Sequence, residues 1–342
     1  MEVKPPFFLR EQYNANIVRL LKSVTLGSNG ALYHHNKIDK RIDQLYRPIY
    51  LNLERNDKVL GNITFCRRPK SWYVRYFAFD IDVQTSTNKV RSKASTHSGL
   101  KRIVNQFFED SFRLDKDRPD MFYAYIDPRN ERSLWMSQNF DFQTISKIAT
   151  QTFSRVKLKP RTNVQPSSPT DFIRKKVEKI YGNHPFYFTH HTFNEEPFYT
   201  LTHNNQIVAF AKTHEAEWKI VRLPGKNGAL IKKIIPYVPG LRKIISPNSH
   251  SFITVDTVWS EGNNPKYIQQ LFEGILHHKQ THTIIWWVDQ KEEVYQKVKK
   301  SVNWGLLNKI NGVHEVDLVV RHAEGKIEKL TAPTYVTGID FI

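Results

Sequence analysis

The sequence has one cysteine, Cys66, in 342 residues. A single cysteine cannot form an internal disulfide, and no set of histidines, cysteines and acids has the spacing of metal ligands, so we predict no metal site. Long apolar runs are also missing, because the segment from Thr283 to Val288 is far short of the roughly 20 residues that a membrane helix needs. The first six residues hold an acid and two prolines, unlike a secretory signal. We therefore expect a cytoplasmic location and no membrane partner.

Several catalytic motifs are absent as well. The sequence contains no Gly-x-Ser-x-Gly, no Walker loop and no dinucleotide-binding fingerprint. Histidines occur as adjacent pairs, such as His34-His35, and the two rings of such a pair point to different faces of a strand or helix. The chain thus lacks the signatures of serine hydrolases, P-loop enzymes and dinucleotide-dependent enzymes.

Negative charge is in the minority. The formal net charge is +18, and residues 1–165 hold 29 Lys and Arg against 16 Asp and Glu. A basic surface attracts nucleic acid, anionic lipid or a phosphate-rich cofactor without distinguishing them. RNA or another polyanion is therefore a possible partner of the first half of the chain.

What the chain does have is enough apolar material for two domains. Hydrophobic residues make up 39% of the sequence and aromatic residues 13%, which suits globular packing. Residues 158–169 contain three prolines and few apolar residues, as expected of a linker. We therefore predict an N-terminal domain at 1–157 and a C-terminal domain at 170–342.

The first half alternates strands and helices. Residues Ile49–Leu53, Val59–Arg67 and Trp72–Asp80 are predicted to form three consecutive strands joined by short turns. Residues Met121–Ile126 are short, aromatic and β-branched, and Asp127-Pro128 ends this fourth strand. From Asn130 the apolar period becomes that of an amphipathic helix that packs on a sheet. This order is typical of a mixed α/β domain.

The strand and helix around Asn130 resemble the fifth strand and fourth helix of the GNAT superfamily of acyl-CoA-dependent N-acyltransferases. The family pattern has Asn after the strand, a small residue three positions later, Tyr at seven, and Gly-Phe at eleven and twelve. Asn130, Ser133 and Phe142 agree with this pattern. Ser137 replaces the Tyr that often protonates the departing thiolate, and Asp141 replaces the Gly.

The resemblance implies an acyl-CoA site in the first half. In this family the fourth strand parts from the fifth, the pantetheine lies in the opening, and the pyrophosphate lies at the N-terminus of the next helix. Gly99 fits the first glycine of the phosphate motif, whereas Thr96 and Lys101 replace its other two positions. The residues implied to bind the cofactor are Phe77, Ala78, Phe79, His97, Ser98, Gly99, Leu100, Lys101, Arg102 and Asn130.

The same resemblance implies three catalytic candidates. Asp80 follows the central strand, where a base would deprotonate the attacking amine. Ser137 can donate a hydrogen bond to sulfur, and Tyr295 lies in a Tyr-x-x-Val segment close to the family's Tyr-x-x-Leu. Asp80 also fits a solvated turn, and Tyr295 also fits a core aromatic residue.

The second half repeats this order of elements. Residues Phe252–Trp259 are predicted as its central strand and Thr283–Asp289 as the next buried strand, while Val313–Arg321 and Tyr335–Ile342 are predicted to close the sheet. The loop after Trp259 contains Glu261, which would repel a pyrophosphate. We therefore expect an α/β fold of two tandem GNAT-like domains, each a mostly antiparallel twisted sheet with helices on both faces.

Three functional hypotheses follow. The first is an acyl-CoA-dependent N-acetyltransferase-like protein that transfers an acetyl or other acyl group to the amine of a small molecule or peptide. The second is a transferase similar to the Fem family, which takes an aminoacyl group from charged tRNA. The third is a non-catalytic GNAT-like binding protein. The sequence identifies neither the acceptor nor the oligomeric state.

Overall fold

The computed structural model describes residues 3–27, 31–80, 99–223, 228–325 and 330–341. The chain forms two compact units. The first unit consists of Met1–Ser28, Leu32–Ile145 and Leu318–Lys329, and the second of Asn29–Ala31, Ser146–Asp317 and Leu330–Ile342. Strand β8 (Gln143–Ser154) therefore begins in the first unit, and strand β14 (His314–His322) begins in the second.

The first unit contains seven further strands and four helices within the described residues. In chain order they are β1 Phe7–Arg10, α1 Ala15–Ser23, β2 Leu26–Gly27, β3 Leu32–His35, α2 Ile38–Asp43, β4 Pro48–Arg55, β5 Lys58–Arg68, β6 Ser71–Phe79, α3 Gly99–Ser111, β7 Met121–Ile126 and α4 Glu131–Asn139. The three consecutive strands and the strand-to-helix unit predicted from the sequence are thus present. The alternation of apolar residues along the strands and the Asn130 cap of α4 are sufficient to predict them.

The sheet of the first unit has the order β1-β4-β5-β6-β7-β14. Neighbouring strands from β1 to β6 are antiparallel, and β6 and β7 are parallel. One face carries an aromatic core in which Phe65 stacks on Phe107 of α3 at 4.9 Å and meets Phe122 of β7 edge-on. Val319 of β14 belongs to the same core, so the unit is completed by residues from late in the sequence.

Strands β6 and β7 separate after a short shared ladder. They are paired at Ser71 with Met121, Trp72 with Phe122 and Tyr73 with Tyr123. Within these two fully described strands the ladder does not continue past Tyr73, although β6 runs to Phe79. The opening predicted beside the central strand is therefore present.

The second unit has its own set of elements. After β8 they are β9 Val164–Ser167, α5 Asp171–Tyr181, α6 Thr189–Thr192, β10 Phe198–His203, β11 Gln206–Arg222, α7 Gly228–Ile234, α8 Pro239–Ile244, β12 His250–Ser260, α9 Pro265–Lys279, β13 Thr283–Asp289, α10 Glu293–Val298 and α11 Leu306–Asn311, followed after β14 by α12 Gly338–Phe341. Two short 3-10 helices lie at Ile235–Tyr237 and Glu261–Asn263. The core is formed mainly between the sheet and α9.

The sheet of the second unit has the order β8-β13-β12-β11-β10-β9. Only β12 and β13 are parallel among the pairs of this sheet, and their ladder also stops early, at Val255 with Trp286. Both units therefore have a mostly antiparallel sheet with a parting between two parallel strands. The predicted mixed α/β fold class is confirmed, and descent of the two halves from one duplicated domain stays a proposal.

Two segments differ from their sequence interpretation. Residues Tyr335–Ile342 were expected to form a closing strand, but the described part is a buried extended segment followed by α12. The expected linker, 158–169, contains β9, whose Val164 is fully buried and paired with Leu201. Residues 164–167 form a strand although Pro166 lies among them, because burial of Val164 outweighs the local effect of the proline.

No helix within the described ranges is long and apolar enough to cross a membrane.

Candidate functional site

The parting of β6 and β7 is the centre of the candidate site. Phe77 is 39% exposed, and its ring contacts the rings of Phe79 and Phe140. Ala78 is buried on the opposite face of the strand, where it lines a cavity. The three predicted contacts on β6 therefore lie beyond its short ladder with β7, and two of them, Phe77 and Ala78, also line this cavity.

The first turn of α3 has free space among the residues that the structure describes. A Cβ built on Gly99 would meet none of their atoms within 4 Å, and the next residue, Leu100, is 40% exposed. The Nζ of Lys101 lies 2.9 Å from Oδ1 of Asn139 at the end of α4, while Arg102 is exposed. A helix of 13 residues with free space at its first turn offers backbone N–H groups and a positive dipole end to an anion. The predicted ligands His97 and Ser98 lie outside the described residues.

A cavity of about 60 Å³ lies beside the second half of β6. Its walls come from β6, from the end of α1 and from the region of β3 and α2. The lining residues are Leu21, Val24, Leu26, His35, Ile38, Arg75, Tyr76, Phe77 and Ala78. The cavity is mostly apolar with three polar groups, which is the usual composition of a small-molecule site.

His35 is neutral in this cavity. Burial lowers the pKa of His35, and the nearby Arg75 and Arg41 lower it further, to about 3. Burial raises the pKa of the neighbouring Tyr33, and the carboxylate of Asp127 raises it further. The imidazole is thus an uncharged hydrogen-bonding group at neutral pH, in a positive local potential.

On neighbouring strands of the first unit, a pair of tyrosine hydroxyls is buried without a hydrogen-bond partner among the described residues. They belong to Tyr50 of β4 and Tyr76 of β6, which occupy the two strand positions on either side of Thr64. Beside them, Thr64 donates to Asn62 at 2.6 Å, and Asn62 donates to Asn52 at 2.9 Å. Buried hydroxyls nearly always have partners, so the Tyr76 hydroxyl in the cavity wall is a candidate ligand group.

Asn130 and Ser137 both serve α4 itself. The Oδ1 of Asn130 accepts a hydrogen bond from the backbone N–H of Ser133 at 3.1 Å, which caps the helix. Ser137 is buried, and its hydroxyl donates to the carbonyl of Leu134 at 2.8 Å. The hydroxyl that replaces the family's Tyr is therefore engaged by its own helix.

The other two catalytic candidates lie in different units. Asp80 directly follows β6, and its backbone N–H donates to the carbonyl of Leu60 at 2.8 Å. Tyr295 is buried in the core of the second unit, edge-on to Trp286, and its hydroxyl donates to Gln151 at 3.3 Å. Burial raises the pKa of Tyr295 to about 12. Only Asp80 therefore adjoins the parting of β6 and β7.

The corresponding parting in the second unit is occupied by the chain itself. Thr334 donates two hydrogen bonds to Asp289 at the end of β13, through its backbone N–H at 2.9 Å and its hydroxyl at 2.7 Å. Tyr335 and Thr337 each donate to Asp256 of β12 at 3.2 Å, and the N–H of Gly338 also binds this carboxylate. Segment 334–338 thus lies across the parting of β12 and β13.

The same segment covers a buried ionic cluster. His214 of β11 lies between two carboxylates, with Nδ1 on Glu196 and Nε2 at 2.9 Å from Asp256. Burial alone lowers the pKa of His214, but the charge of Asp256 and the hydrogen bonds to both acids raise it to about 9. Thr257, with φ of 51°, turns its hydroxyl to Asp256 at 2.6 Å. His214 and Asp256 are almost completely buried, so neither is accessible to a substrate.

Sequence reasoning missed His35, Tyr76 and the His214 cluster. His35 belongs to an adjacent pair that shows no metal spacing, and the residues of the cluster are far apart in the chain. The strand around His214 is rich in charged residues, Lys212-Thr213-His214-Glu215, so the sequence gives no signal that this histidine is buried. Among the described residues no group of three or more His, Cys, Asp or Glu is placed to hold a metal ion.

No protein-family model matches the sequence, and no curated protein matches it. Solved structures do. Two structures of Saccharomyces cerevisiae N-myristoyltransferase with bound myristoyl-CoA match with TM-scores of 0.54 and 0.52, at 9% and 8% identity, over 99% of this chain and 84% and 88% of theirs. A GCN5-related N-acetyltransferase from Sphaerobacter thermophilus matches with a TM-score of 0.49 at 11% identity, over 94% of this chain and 97% of that one.

Identity at this level carries information about the fold alone. The N-myristoyltransferase likeness extends over nearly the whole chain, and the two partings between parallel strands are those that the family resemblance implies. The chain therefore has the fold that these two N-myristoyltransferase structures show.

Proposed function

We propose that this protein is an acyl-CoA-dependent N-acyltransferase whose donor site lies in the first unit. The observation that carries the proposal is the parting of β6 and β7 together with the first turn of α3, where no atom of the described residues lies within 4 Å of a Cβ built on Gly99. The amides of pantetheine pair with strand backbone in the opening, and the pyrophosphate accepts hydrogen bonds from the N-terminus of α3. The filled parting of the second unit supports a single donor site.

The acceptor amine enters the cavity lined by His35 and Tyr76. Because His35 is neutral, its ring accepts or donates a hydrogen bond, and the charge of Arg75 in the cavity wall favours the uncharged, nucleophilic form of the amine. The amine nitrogen forms a bond to the thioester carbonyl carbon, the C–S bond breaks, and the thiolate leaves. Asp80 is the proposed base for the ammonium proton, acting through water. Ser137 and Tyr295 have no role in the proposed reaction, because each hydroxyl donates its hydrogen bond to another residue of the chain.

Substitution of Gly99 by aspartate tests the donor site. An acidic residue in the first turn of α3 meets open space and favours the helix dipole, so the fold is retained. Its charge repels the pyrophosphate, so the thermal stabilisation by desulfo-coenzyme A and acetyl-coenzyme A is lost. For the parent protein, a ligand at 100 times its dissociation constant adds about 2.7 kcal/mol of stability.

The matched control is Lys266→Asp, which places the same charge in the first turn of α9 in the second unit. This variant keeps the full coenzyme response. An equal response in Gly99→Asp, or its loss in Lys266→Asp only, contradicts the proposed location. Acyl-CoAs of increasing chain length in the same assay identify the acyl group.

A second candidate is a coenzyme-binding protein without transfer activity, and Ser137 favours it. Its hydroxyl is bound to Leu134, so α4 supplies no evident acid for the thiolate. Release of free thiol in the presence of mixed amines distinguishes the two candidates, because a binding protein responds in the thermal assay and releases none. The tRNA-dependent alternative stays a prediction, tested by salt-dependent binding of charged tRNA.

A further inference from the structure

An insertion between β11 and β12 exposes apolar side chains. Of the fourteen large apolar residues that are exposed in the described part of the chain, five lie between Val221 and Val238. Leu230 is 58% exposed, Ile234 47% and Tyr237 85%. Leu230 and Ile234 are four residues apart on α7 and so share one face of the helix. Amphipathic helices of a globular protein normally turn such a face inward, as α5 does, whereas α7 turns it outward.

The exposed face belongs to an anchored structure. Ile235 and Ile244 are buried, and the hydroxyl of Thr283 donates to the carbonyl of Ile244 at 3.0 Å. Lys232 donates to the carbonyl of Val221 at 3.0 Å, and a Cβ on Gly228 would come within 1.9 Å of the carbonyl oxygen of Leu223. Buried residues and hydrogen bonds thus hold the insertion on the second unit, while the side chains of Leu230, Ile234 and Tyr237 remain exposed to solvent.

The insertion is also strongly basic. From Trp218 to Val255 the sequence has seven Lys and Arg and no Asp or Glu. Among them Lys233 is exposed on α7, beside Leu230 and Ile234, and Arg242 and Lys243 are exposed on the following helix, α8. The preceding acid, Glu217, accepts a hydrogen bond from Ser249 at 2.7 Å. The surface therefore combines positive charge with aliphatic and aromatic side chains.

We propose that this insertion, residues 228–244, docks the protein on the surface of an anionic lipid bilayer. Interfacial helices combine apolar side chains that enter the acyl boundary with Lys and Arg that meet the headgroups. A nucleic acid accounts for the charges but leaves Leu230 and Ile234 without a function. A second copy of the chain would bring two basic surfaces together across a symmetric interface. Peripheral docking of this kind revises the expectation that no membrane is involved.

Vesicle flotation tests the proposal with the full chain. The parent protein binds vesicles of phosphatidylcholine with 30% phosphatidylserine at low salt and does not bind phosphatidylcholine alone. Leu230→Ser/Ile234→Ser and, separately, Tyr237→Ser weaken binding by about tenfold or more. The variant Lys233→Gln/Arg242→Gln/Lys243→Gln weakens it by roughly a hundredfold, since each basic residue near an anionic surface contributes about fivefold.

The control is Leu306→Ser/Ile310→Ser on α11, which removes a similar exposed pair four residues apart at another place on the second unit. This control keeps the parent affinity. Because Tyr237 is 85% exposed, Tyr237→Ser retains the parent melting temperature and excludes misfolding as the cause of lost binding.

A labelled residue locates the contact. The chain's single cysteine, Cys66, is buried, so Tyr237→Cys carries an environment-sensitive dye at one accessible position. We expect a blue shift of the dye on serine-lipid vesicles. The proposal is overturned by absence of vesicle binding at low salt, by equal binding of the apolar variants, by an unshifted dye, or by RNA binding that requires only the basic residues. A dimer that the apolar variants dissociate in the absence of lipid also overturns it.

Discussion

His214 is a buried cation held by two anions. It is fully buried in β11, and without Glu196 and Asp256 the cost of burying its charge would keep it neutral. The second unit contains another buried cation nearby, Lys212, whose pKa is lowered by burial to about 8. The raised pKa of His214 means that its protonated form is favoured in the folded protein, so protonation contributes to the stability of the fold. A catalytic role is excluded for His214, because no substrate can reach it.

We expect this contribution to depend on pH. The folded pKa of His214, about 9, lies above the ordinary value of 6.5, so the stabilisation is complete below pH 6.5 and is lost as the pH rises through 9. The advantage of the parent over His214→Gln in unfolding free energy falls by about 3 kcal/mol across this range. Urea unfolding of both proteins at pH 6, 7.5 and 9 measures it, and a constant difference would contradict the assignment.

Sequence reasoning can locate some of the site residues but not others. Gly99 and Asn130 stand at recognisable places in a motif, so their positions at helix N-termini could be predicted. His35 and Tyr76 could not, because their importance depends on a cavity that forms between α1, α2 and β6. Contacts between distant elements are not encoded in a local period.

At the scale of elements, α9 shows a close approach that its sequence hides. Gly274 lies in the middle of this helix, and a Cβ there would come within 2.4 Å of Val164 on β9. The helix was predicted from its apolar period, whereas β9 was expected to be a linker because prolines surround it. The glycine is required because the strand packs directly on the helix backbone.

Gly274→Ala should destabilise the protein. Alanine favours the helix by about 1 kcal/mol, but overpacking against Val164 costs about 1–3 kcal/mol, and the buried strand has little freedom to move. Denaturant unfolding measures the change. In the Val164→Ala background, Gly274→Ala should lower the free energy of unfolding by less than it does in the parent protein, because part of the Val164 side chain has been removed. If Gly274→Ala costs the same in both backgrounds, the two side chains do not touch.

For the whole molecule, the order of elements in sequence does not define the folded units. The period of two along a strand predicts that β8 and β14 are strands, but it carries no information about which strand each will pair with. Residues 148–154 pair with β13, and residues from Leu318 onward complete the sheet of the first unit. The division into domains at residue 157, which the sequence suggests, stays a proposal about how the two halves arose by duplication.

Separate expression of residues 1–157 and 158–342 tests the consequence. The first fragment lacks Val319, and the second lacks Ala149 and Phe153, all of which are almost completely buried in their cores. We expect neither fragment to give a cooperative thermal transition by circular dichroism. A fragment that joins residue 145 to residue 318 through a short Gly/Ser linker supplies the missing strand and is expected to fold. Cooperative unfolding of the isolated 1–157 fragment would contradict this account.

The late origin of β14 has a consequence for biosynthesis. Leu318 leaves the ribosome 173 residues after Ile145, which at about 5–20 residues per second corresponds to roughly 10–35 s. During that interval β7 is an uncovered edge strand in a nascent chain, and such edges recruit foreign strands. The edge of β7 is therefore exposed to pairing with other chains until β14 has been synthesised.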